Sequence, residues 1–109
     1  MATGVKSRVK LPKTARAGEV ITIKTLITHR MESGQRFDEA GQTIPRSIIH
    51  RFTCDFDGET VVDATLHSGI ATNPFFEFKA RVPRSGVFSF AWYDDDGAIY
   101  TAQKSIAVT

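Results

Sequence analysis

Residues 87–103 read VFSFAWY, then DDDG, then AIYTAQ, which is the pattern of two β-strands joined by a short acidic turn. Phe88, Phe90 and Trp92 recur at every second position, so an extended strand places them on one face. The Asp-Gly end of the turn supplies residues that tolerate positive φ and therefore closes a hairpin. Aromatic-rich strands with short polar turns build sandwiches and barrels, which present surfaces rather than chemistry of their own. This stretch predicts a small β-domain whose function is to bind a ligand or a partner that the stretch itself does not identify.

The rest of the chain continues the same alternation of strands and turns. No segment has the i, i+3, i+4, i+7 apolar spacing of an amphipathic helix. With 109 residues, the chain is long enough for one domain, spanning 1–109, and too short for two. We therefore predict an all-β fold, an immunoglobulin-like two-sheet antiparallel β-sandwich of about seven strands with Trp92 as a buried ring. The predicted strands are residues 5–11, 20–28, 47–56, 59–66, 75–82, 87–93 and 98–108.

The net charge of +2 is unevenly distributed along the chain. Residues 1–30 hold seven Lys or Arg and one Glu, whereas the remainder is acidic on balance. A basic first segment could steer an anionic ligand or partner. Alternatively, its cations are solvated outward positions that protect an edge strand from aggregation. A nucleic-acid binder would be expected to carry a larger positive charge, so no nucleic-acid partner is predicted.

Two features suggest a contact surface, and each has a simpler alternative. The polar stretch 29–46 contains two glycines and Pro45, and loops of this length in compact domains are often functional. The alternative is a short irregular hairpin capped by Glu39-Ala40-Gly41. The second feature is Phe75, an apolar ring on a strand face that otherwise carries charges. It is either part of a contact patch or an ordinary exposed aromatic residue.

Cysteine chemistry is not expected to carry the function. Cys54 is the one cysteine in the sequence, which excludes an internal disulfide and a multi-cysteine zinc site. Alternation within 47–56 places Ile48, His50, Phe52, Cys54 and Phe56 on one apolar face. A thiol in such a place is desolvated and behaves as a small hydrophobic group. The alternative, a redox or catalytic role for Cys54, stays open to experiment.

Metal and hydrolytic sites also lack a supporting pattern. The Cys, Met and His residues do not cluster on one late loop as a blue-copper site requires. No two of the three histidines (His29, His50 and His67) have the spacing of zinc ligands, and His50 is predicted to be a half-buried residue with a backbone partner. The run Asp94-Asp95-Asp96 could bind calcium, but a solvated turn is favoured. Neither a nucleophile elbow nor a phosphate-binding loop is present. We predict no catalytic residue, no cofactor and no metal.

No apolar run approaches the roughly 20 residues that span a bilayer. The first six residues, MATGVK, have no hydrophobic core of a signal peptide. The sequence therefore predicts no membrane span and no secretory signal of its own.

Several segments together resemble a known family. They are the loop HRMESG at 29–34, its exit IPR at 44–46, NPF at 73–75 and WYDDDG at 92–97. In order and spacing over the whole domain, these segments resemble the Z subunits of the thiosulfate-oxidising carrier complex (SoxZ). The other interpretation is a structural β-sandwich interaction module unrelated to sulfur oxidation.

The resemblance implies a non-catalytic subunit of the SoxYZ carrier, forming a heterodimer with the SoxY subunit. In that family, SoxY carries sulfur intermediates on a cysteine of a flexible C-terminal arm and visits a haem c-type transferase, a hydrolase and a sulfur dehydrogenase in the periplasm. This sequence ends without such an arm, so Cys54 is not expected to be the carrier. The family's Z subunits are exported together with a signal-bearing partner. We expect the stretch 29–46 and one sheet face to dock SoxY, with Met31, Phe37 and Phe75 as apolar contacts.

Overall fold

Eight strands form two sheets in a computed structural model that describes residues 5–29, 31–67 and 74–109. One sheet has three strands in the order β1-β3-β6, and the other has five in the order β2-β8-β7-β4-β5. The all-β, two-sheet prediction is confirmed. The strands are β1 (Lys6–Lys10), β2 (Thr14–Ala15), β3 (Glu19–Thr28), β4 (Ile49–Phe56), β5 (Glu59–Thr65), β6 (Phe75–Val82), β7 (Gly86–Asp94) and β8 (Ile99–Val108).

The core lies between the inner faces of the two sheets. Phe52 of β4 stacks on Phe76 of β6 with ring centroids 4.8 Å apart, so aromatic rings bridge the two layers. Trp92 is fully buried 5.3 Å from Phe52, as the sequence predicted. Each buried aromatic or aliphatic side chain of this size contributes about 1.5–3 kcal/mol relative to exposure. Packing of large rings therefore stabilises the sandwich.

Turn chemistry sets the register of the β4–β5 hairpin. Asp57 has φ 48° and Gly58 has φ 87°, so both central residues of the turn are left-handed. This is the two-residue turn whose twist matches that of the flanking strands. The Asp-Gly pair thus defines where β4 ends and β5 begins, as the sequence indicated.

The predicted strand count omits β2. Pro12 cannot donate to a ladder and ends the pairing of β1, after which the chain crosses to the other sheet. There Thr14 and Ala15 pair in parallel with Ala107 and Val108 of β8. A two-residue strand has no period, so alternation could not reveal it. This pair is the exception to the antiparallel pairing of the strands described.

A β-bulge changes which side chains of β4 point into the core, compared with the sequence prediction. The β4–β7 register shifts between Ile49 and Arg51, so the alternation is broken there. Ile49 is consequently buried in the core, although alternation placed it outward. His50, which alternation placed on the face of Phe52, is half-buried, as the sequence predicted. Strand bulges turn side chains onto the other face, and no local sequence signal marked this one.

Within the described residues, the structure contains no helix long and apolar enough to cross a membrane.

Candidate interaction site

One end of the sandwich gathers the segments that the sequence singled out. The antiparallel registers place the end of β3 and the end of β7 beside the starts of β4, β6 and β8. Residues 31–48, which connect β3 to β4, and the acidic turn 94–98, which connects β7 to β8, therefore emerge at the same end. Phe75 lies opposite Leu26, at this end of the three-stranded sheet. We call this region the loop end.

Residues 32–47 form an irregular hairpin. Its base is the antiparallel bridge Glu32–Ser47 and its tip is the bridge Phe37–Thr43. Asp38 closes the tip, because its Oδ1 accepts hydrogen bonds from the backbone N–H groups of Ala40 and Gln42, both at 2.9 Å. An Asp side chain that bonds backbone donors in this way is a frequent turn-forming device. We call residues 32–47 the loop hairpin. The hairpin geometry was one of the two predicted alternatives, and it leaves the functional interpretation open.

The loop hairpin is tied to the acidic turn by a two-pronged ion pair. Arg46 donates from Nε and Nη2 to the two oxygens of Asp95, at 2.8 and 2.9 Å. The backbone N–H of Ile48 donates to Asp95 Oδ2 at 3.1 Å. Burial alone would raise the pKa of Asp95, but these donors and the charge of Arg46 hold that pKa below its usual value. Bidentate pairs of this kind restrict orientation as well as adding energy.

Beneath the acidic turn lies a buried polar cluster centred on Asp94, which is 2% exposed. The Tyr100 hydroxyl donates to Asp94 Oδ2 at 2.7 Å, and Nε2 of His29 lies 3.4 Å from the same oxygen. Oδ1 accepts from the backbone N–H groups of Asp96 and Ala98 at 3.0 and 2.9 Å. Burial tends to raise the pKa of Asp94, yet the hydrogen bonds from Tyr100, Ala98, His29 and Asp96 outweigh it and lower that pKa.

This cluster overturns the prediction of a solvated acidic turn. Asp94 is buried and Asp95 is mostly covered, so only Asp96 of the three carboxylates is exposed. The reason is that Asp94 and Asp95 satisfy backbone donors left unpaired by the turn and by the start of β4. The carboxylates act as structural acceptors that hold the loop end together. The strand pairing that supplies these donors could not be read from the run of Asp residues.

The three predicted contact residues occupy different settings. Phe37 is 66% exposed at the tip of the loop hairpin, and Phe75 is 57% exposed at the start of β6. Met31 instead packs against the core. Its Sδ lies 3.3 Å from Nδ1 of His29 and accepts a hydrogen bond from the backbone N–H of Ile49 at 3.3 Å. Met31 thus supports the loop hairpin from below, while both phenylalanines face solvent.

Cys54 is completely buried in β4, as predicted. Burial, with a smaller contribution from the charge of Asp55, raises the pKa of the Cys54 thiol to about 12. Only the thiolate is an effective nucleophile. A thiol that is inaccessible and protonated at neutral pH is unsuited to accept or pass on a sulfur group.

The histidines have separate environments. His29 belongs to the buried Asp94 cluster, and His67 is exposed after β5. Nδ1 of His50 lies 3.2 Å from Oδ1 of Asp95 but makes no hydrogen bond to any described residue, so the predicted backbone partner is wrong. In the part of the chain that the structure describes, no three His, Cys, Asp or Glu side chains are grouped to hold a metal ion.

Fold and geometry define the class of this protein: an immunoglobulin-like β-sandwich whose loop end presents an anchored hairpin and exposed aromatic side chains. The sequence model of the family described as "Sulphur oxidation protein SoxZ" matches residues 9–105. The chain therefore belongs to the SoxZ family, and the predicted family is confirmed. A comparison with curated protein sequences found no match.

Solved structures share the fold at low sequence identity. A superoxide reductase (neelaredoxin) from Ignicoccus hospitalis has a TM-score of 0.73 and 18% identity, over 94% of this chain and 80% of that one. The sulfur carrier protein SoxY from Chlorobium limicola f thiosulfatophilum has a TM-score of 0.64 and 13% identity, over 94% and 78% of the two chains. These likenesses establish the sandwich fold alone. Family membership is what places the chain among the sulfur-oxidation (Sox) proteins.

Proposed function

We propose that this protein is the non-catalytic subunit of a SoxYZ-type sulfur carrier, acting as a heterodimer with a SoxY-type subunit in thiosulfate oxidation. Membership of the SoxZ family supports the assignment. The observation that carries the division of labour is the burial of Cys54, the one cysteine in the sequence, with its pKa raised to about 12. The sulfur intermediates would then travel on a cysteine of the partner.

In this proposal the sandwich is a rigid base for the partner's mobile arm. A tethered reactive group reaches successive active sites at high effective concentration only if its attachment is stable. The Arg46–Asp95 pair and the buried Asp94 cluster provide rigidity at the loop end. We place the partner contact there, with Phe37 and Phe75 as exposed apolar anchors and Met31 as support beneath the loop hairpin. Exposed aromatic anchors are typical of the residues that dominate binding energy.

The proposed setting is the periplasm, reached by export with a signal-bearing partner. There the heterodimer would meet a haem c-type transferase, a hydrolase and a sulfur dehydrogenase in turn. This subunit would contribute binding and positioning, and no cofactor of its own.

Co-expression with a SoxY-type protein, followed by mass measurement of the purified species under native conditions, tests the assembly. We expect a one-to-one heterodimer. After incubation with thiosulfate, the transferase and an oxidised electron acceptor for its haem, denaturing mass spectrometry should find the sulfur adduct on the partner alone. A covalent thiosulfonate or persulfide on this chain during turnover would contradict the proposal, and two unassociated chains would point instead to a structural module unrelated to the carrier.

Two substitutions test the contact surface. Phe37→Asp and Phe75→Asp each place a charge where an apolar side chain is proposed to be buried, and should weaken the heterodimer at least about tenfold, since interface anchors contribute about 2 kcal/mol or more. Val61→Asp is the matched control, because Val61 is also an exposed apolar residue but lies on β5, in the other sheet from Phe75. If both Phe variants bind the SoxY-type subunit with unchanged affinity, the interface lies elsewhere on the molecule.

A further inference from the structure

The outward face of the three-stranded sheet is strongly basic. The inner face of β3 carries the buried residues Ile21, Ile23 and Ile27, so the even-numbered residues of β3 point outward. The registers then place the even-numbered residues of β1 and the odd-numbered residues of β6 on the same outer face. We call this surface the basic face. Its exposed cations are Lys6, Arg8, Lys10, Lys24, Lys79 and Arg81.

Little on the basic face neutralises these charges. Glu77 is the acidic residue among its strand positions, and it lies 3.8 Å from Lys24. Arg81 donates from Nη1 to the backbone carbonyl of Gly18 at 2.7 Å, which fixes its position but leaves its charge. Within the described ranges, no carboxylate pairs with Lys10 or Lys79. The concentration of like charge raises the local potential and attracts anionic surfaces.

The basic face also contains an apolar groove. A depression of about 410 Å³ runs between β1, β3 and the start of β6; Leu26 and the side chains of Arg8, Lys10 and Lys24 line it, and Phe75 borders it at the loop end. Lys and Arg side chains pack their methylene stems along such surfaces while their charged ends stay in water. A partner that combines carboxylates with one or two apolar side chains complements both properties.

We propose that the basic face is the docking surface for the acidic surface of a protein that the carrier visits transiently. Lysine is depleted in the cores of permanent interfaces, so a lysine-rich face is poorly suited to the constitutive subunit contact. Opposite charges at an interface mainly accelerate association and select partners, which is what repeated short encounters require. This inference rests on the proposed function for the existence of encounters, and it assigns them to the cations of the basic face, which adjoins the loop end at Phe75.

The test reverses exposed charges that have no carboxylate partner. Lys10→Glu with Lys79→Glu alters two cations of the basic face, neither of which makes a side-chain hydrogen bond or ion pair with a described residue. Lys13→Glu with Lys104→Glu changes the net charge by the same amount at exposed positions next to β2 and on β8, in the other sheet. Each variant is purified as the heterodimer with the SoxY-type partner, and its mass confirms assembly before any rate is measured.

Association rates are then measured with the transferase, the hydrolase and the sulfur dehydrogenase as probes, at about 20 mM and about 200 mM NaCl, concentrations that span strong and weak screening. For at least one enzyme, we expect the rate constant to fall about tenfold with salt and about tenfold in the Lys10/Lys79 variant, with the Lys13/Lys104 control unchanged. Equal rates for variant and control with all three enzymes would overturn the proposal.

Two other outcomes also decide the matter. Binding to a 30-mer DNA duplex or to phosphatidylglycerol vesicles that is lost in the Lys10/Lys79 variant, with no enzyme affected, would reject a protein partner. Failure of the wild-type chains to form a heterodimer would contradict the proposed function separately. The same rates would then be measured on the chain alone, so the basic face is tested in either case.

Discussion

At the scale of single residues, Asp94 has the most consequential environment. A carboxylate that is almost fully buried is tolerated because four donors surround it, two from the backbone and two from Tyr100 and His29. Buried polar groups are costly only when left unsatisfied. The three-Asp run that looks like a solvent-facing turn is therefore a set of non-equivalent positions. Its first member organises the loop end and its third is exposed.

Removing the Asp94 carboxylate should destabilise the fold. Asp94→Ala leaves the Tyr100 hydroxyl and two backbone N–H groups without their acceptor, which we expect to lower the free energy of unfolding by about 2–4 kcal/mol. Asp96→Ala is the control; Asp96 is exposed and accepts a single hydrogen bond, from Ser47, so its loss should change stability by about 0.5 kcal/mol or less. Urea denaturation followed by Trp92 fluorescence measures both. Equal stability of the two variants would show that the cluster is not structural.

The hydrogen bond between Tyr100 and Asp94 makes a specific pH prediction. Burial, the hydrogen bond to Asp94 and the charge of that carboxylate raise the pKa of Tyr100 to about 12. Because the folded pKa is above the unfolded value of about 10, this stabilisation is complete below pH about 10 and is lost as pH rises towards 12. Tyr100→Phe should therefore be less stable than wild type at pH 7, with the difference shrinking between pH 10 and 12. A difference that stays constant over this range would contradict the assignment.

At the scale of secondary-structure elements, the loop hairpin depends on contacts at its base. Its exit is held by Arg46 on Asp95, whereas Arg36 pairs with Glu32 within the hairpin itself. The first pair joins two elements that are 49 residues apart in sequence, and the second is local. Of these two ion pairs, only Arg46–Asp95 connects the loop hairpin to the sandwich and can restrict the motion of the hairpin relative to it.

Arg46→Ala should loosen the hairpin without unfolding the sandwich. Exposed ion pairs contribute about 0–1 kcal/mol to global stability, so the melting temperature should change little. Amide hydrogen exchange between residues 32 and 47 should nevertheless accelerate several-fold, because this pair orients the hairpin on the acidic turn. Arg36→Ala, with an equal loss of charge, should affect exchange less at the hairpin base. Identical exchange in the two variants would show that the Asp95 contact does not anchor it.

At the scale of the whole molecule, the protein is long and narrow. Its extents are 60 × 21 × 19 Å and its radius of gyration is 16.3 Å, against about 13 Å for a compact domain of about 100 residues. An elongated shape separates the exposed loop hairpin from the far end of the sandwich. It also provides more than one surface for partners, in keeping with the proposals for the loop end and for the adjoining basic face.

The proposed carrier function predicts how a reconstituted heterodimer would respond to loss of the core thiol of this chain. Cys54→Ala removes a buried sulfur and should cost about 1–2 kcal/mol of stability through the small cavity it leaves. Thiosulfate-dependent turnover of the reconstituted complex should be unchanged at temperatures where the variant is folded. Circular dichroism establishes folding, and the partner's arm-cysteine variant provides the inactive control. If turnover were abolished in a folded Cys54→Ala heterodimer, Cys54 of this chain would have to take part in the sulfur chemistry.

The local sequence pattern was sufficient to predict many features of this fold. The period of two places Phe88, Phe90 and Trp92 on one face, and Asp57-Gly58 closes its hairpin, because side-chain direction and turn conformation depend on adjacent residues. The family was also recognisable from short segments in order. The burial of Cys54 followed from its neighbours on the same strand face.

Other features required the tertiary structure. The bulge that turns Ile49 inward, the burial of Asp94 and the joining of β1, β3 and β6 into one basic face all arise from pairings between segments distant in the chain. Alternation states which residues share a face of one strand, but it does not state which strands are neighbours. Pairing is decided by the combined packing and hydrogen bonding of both sheets, and for that reason only the folded chain brings these residues together.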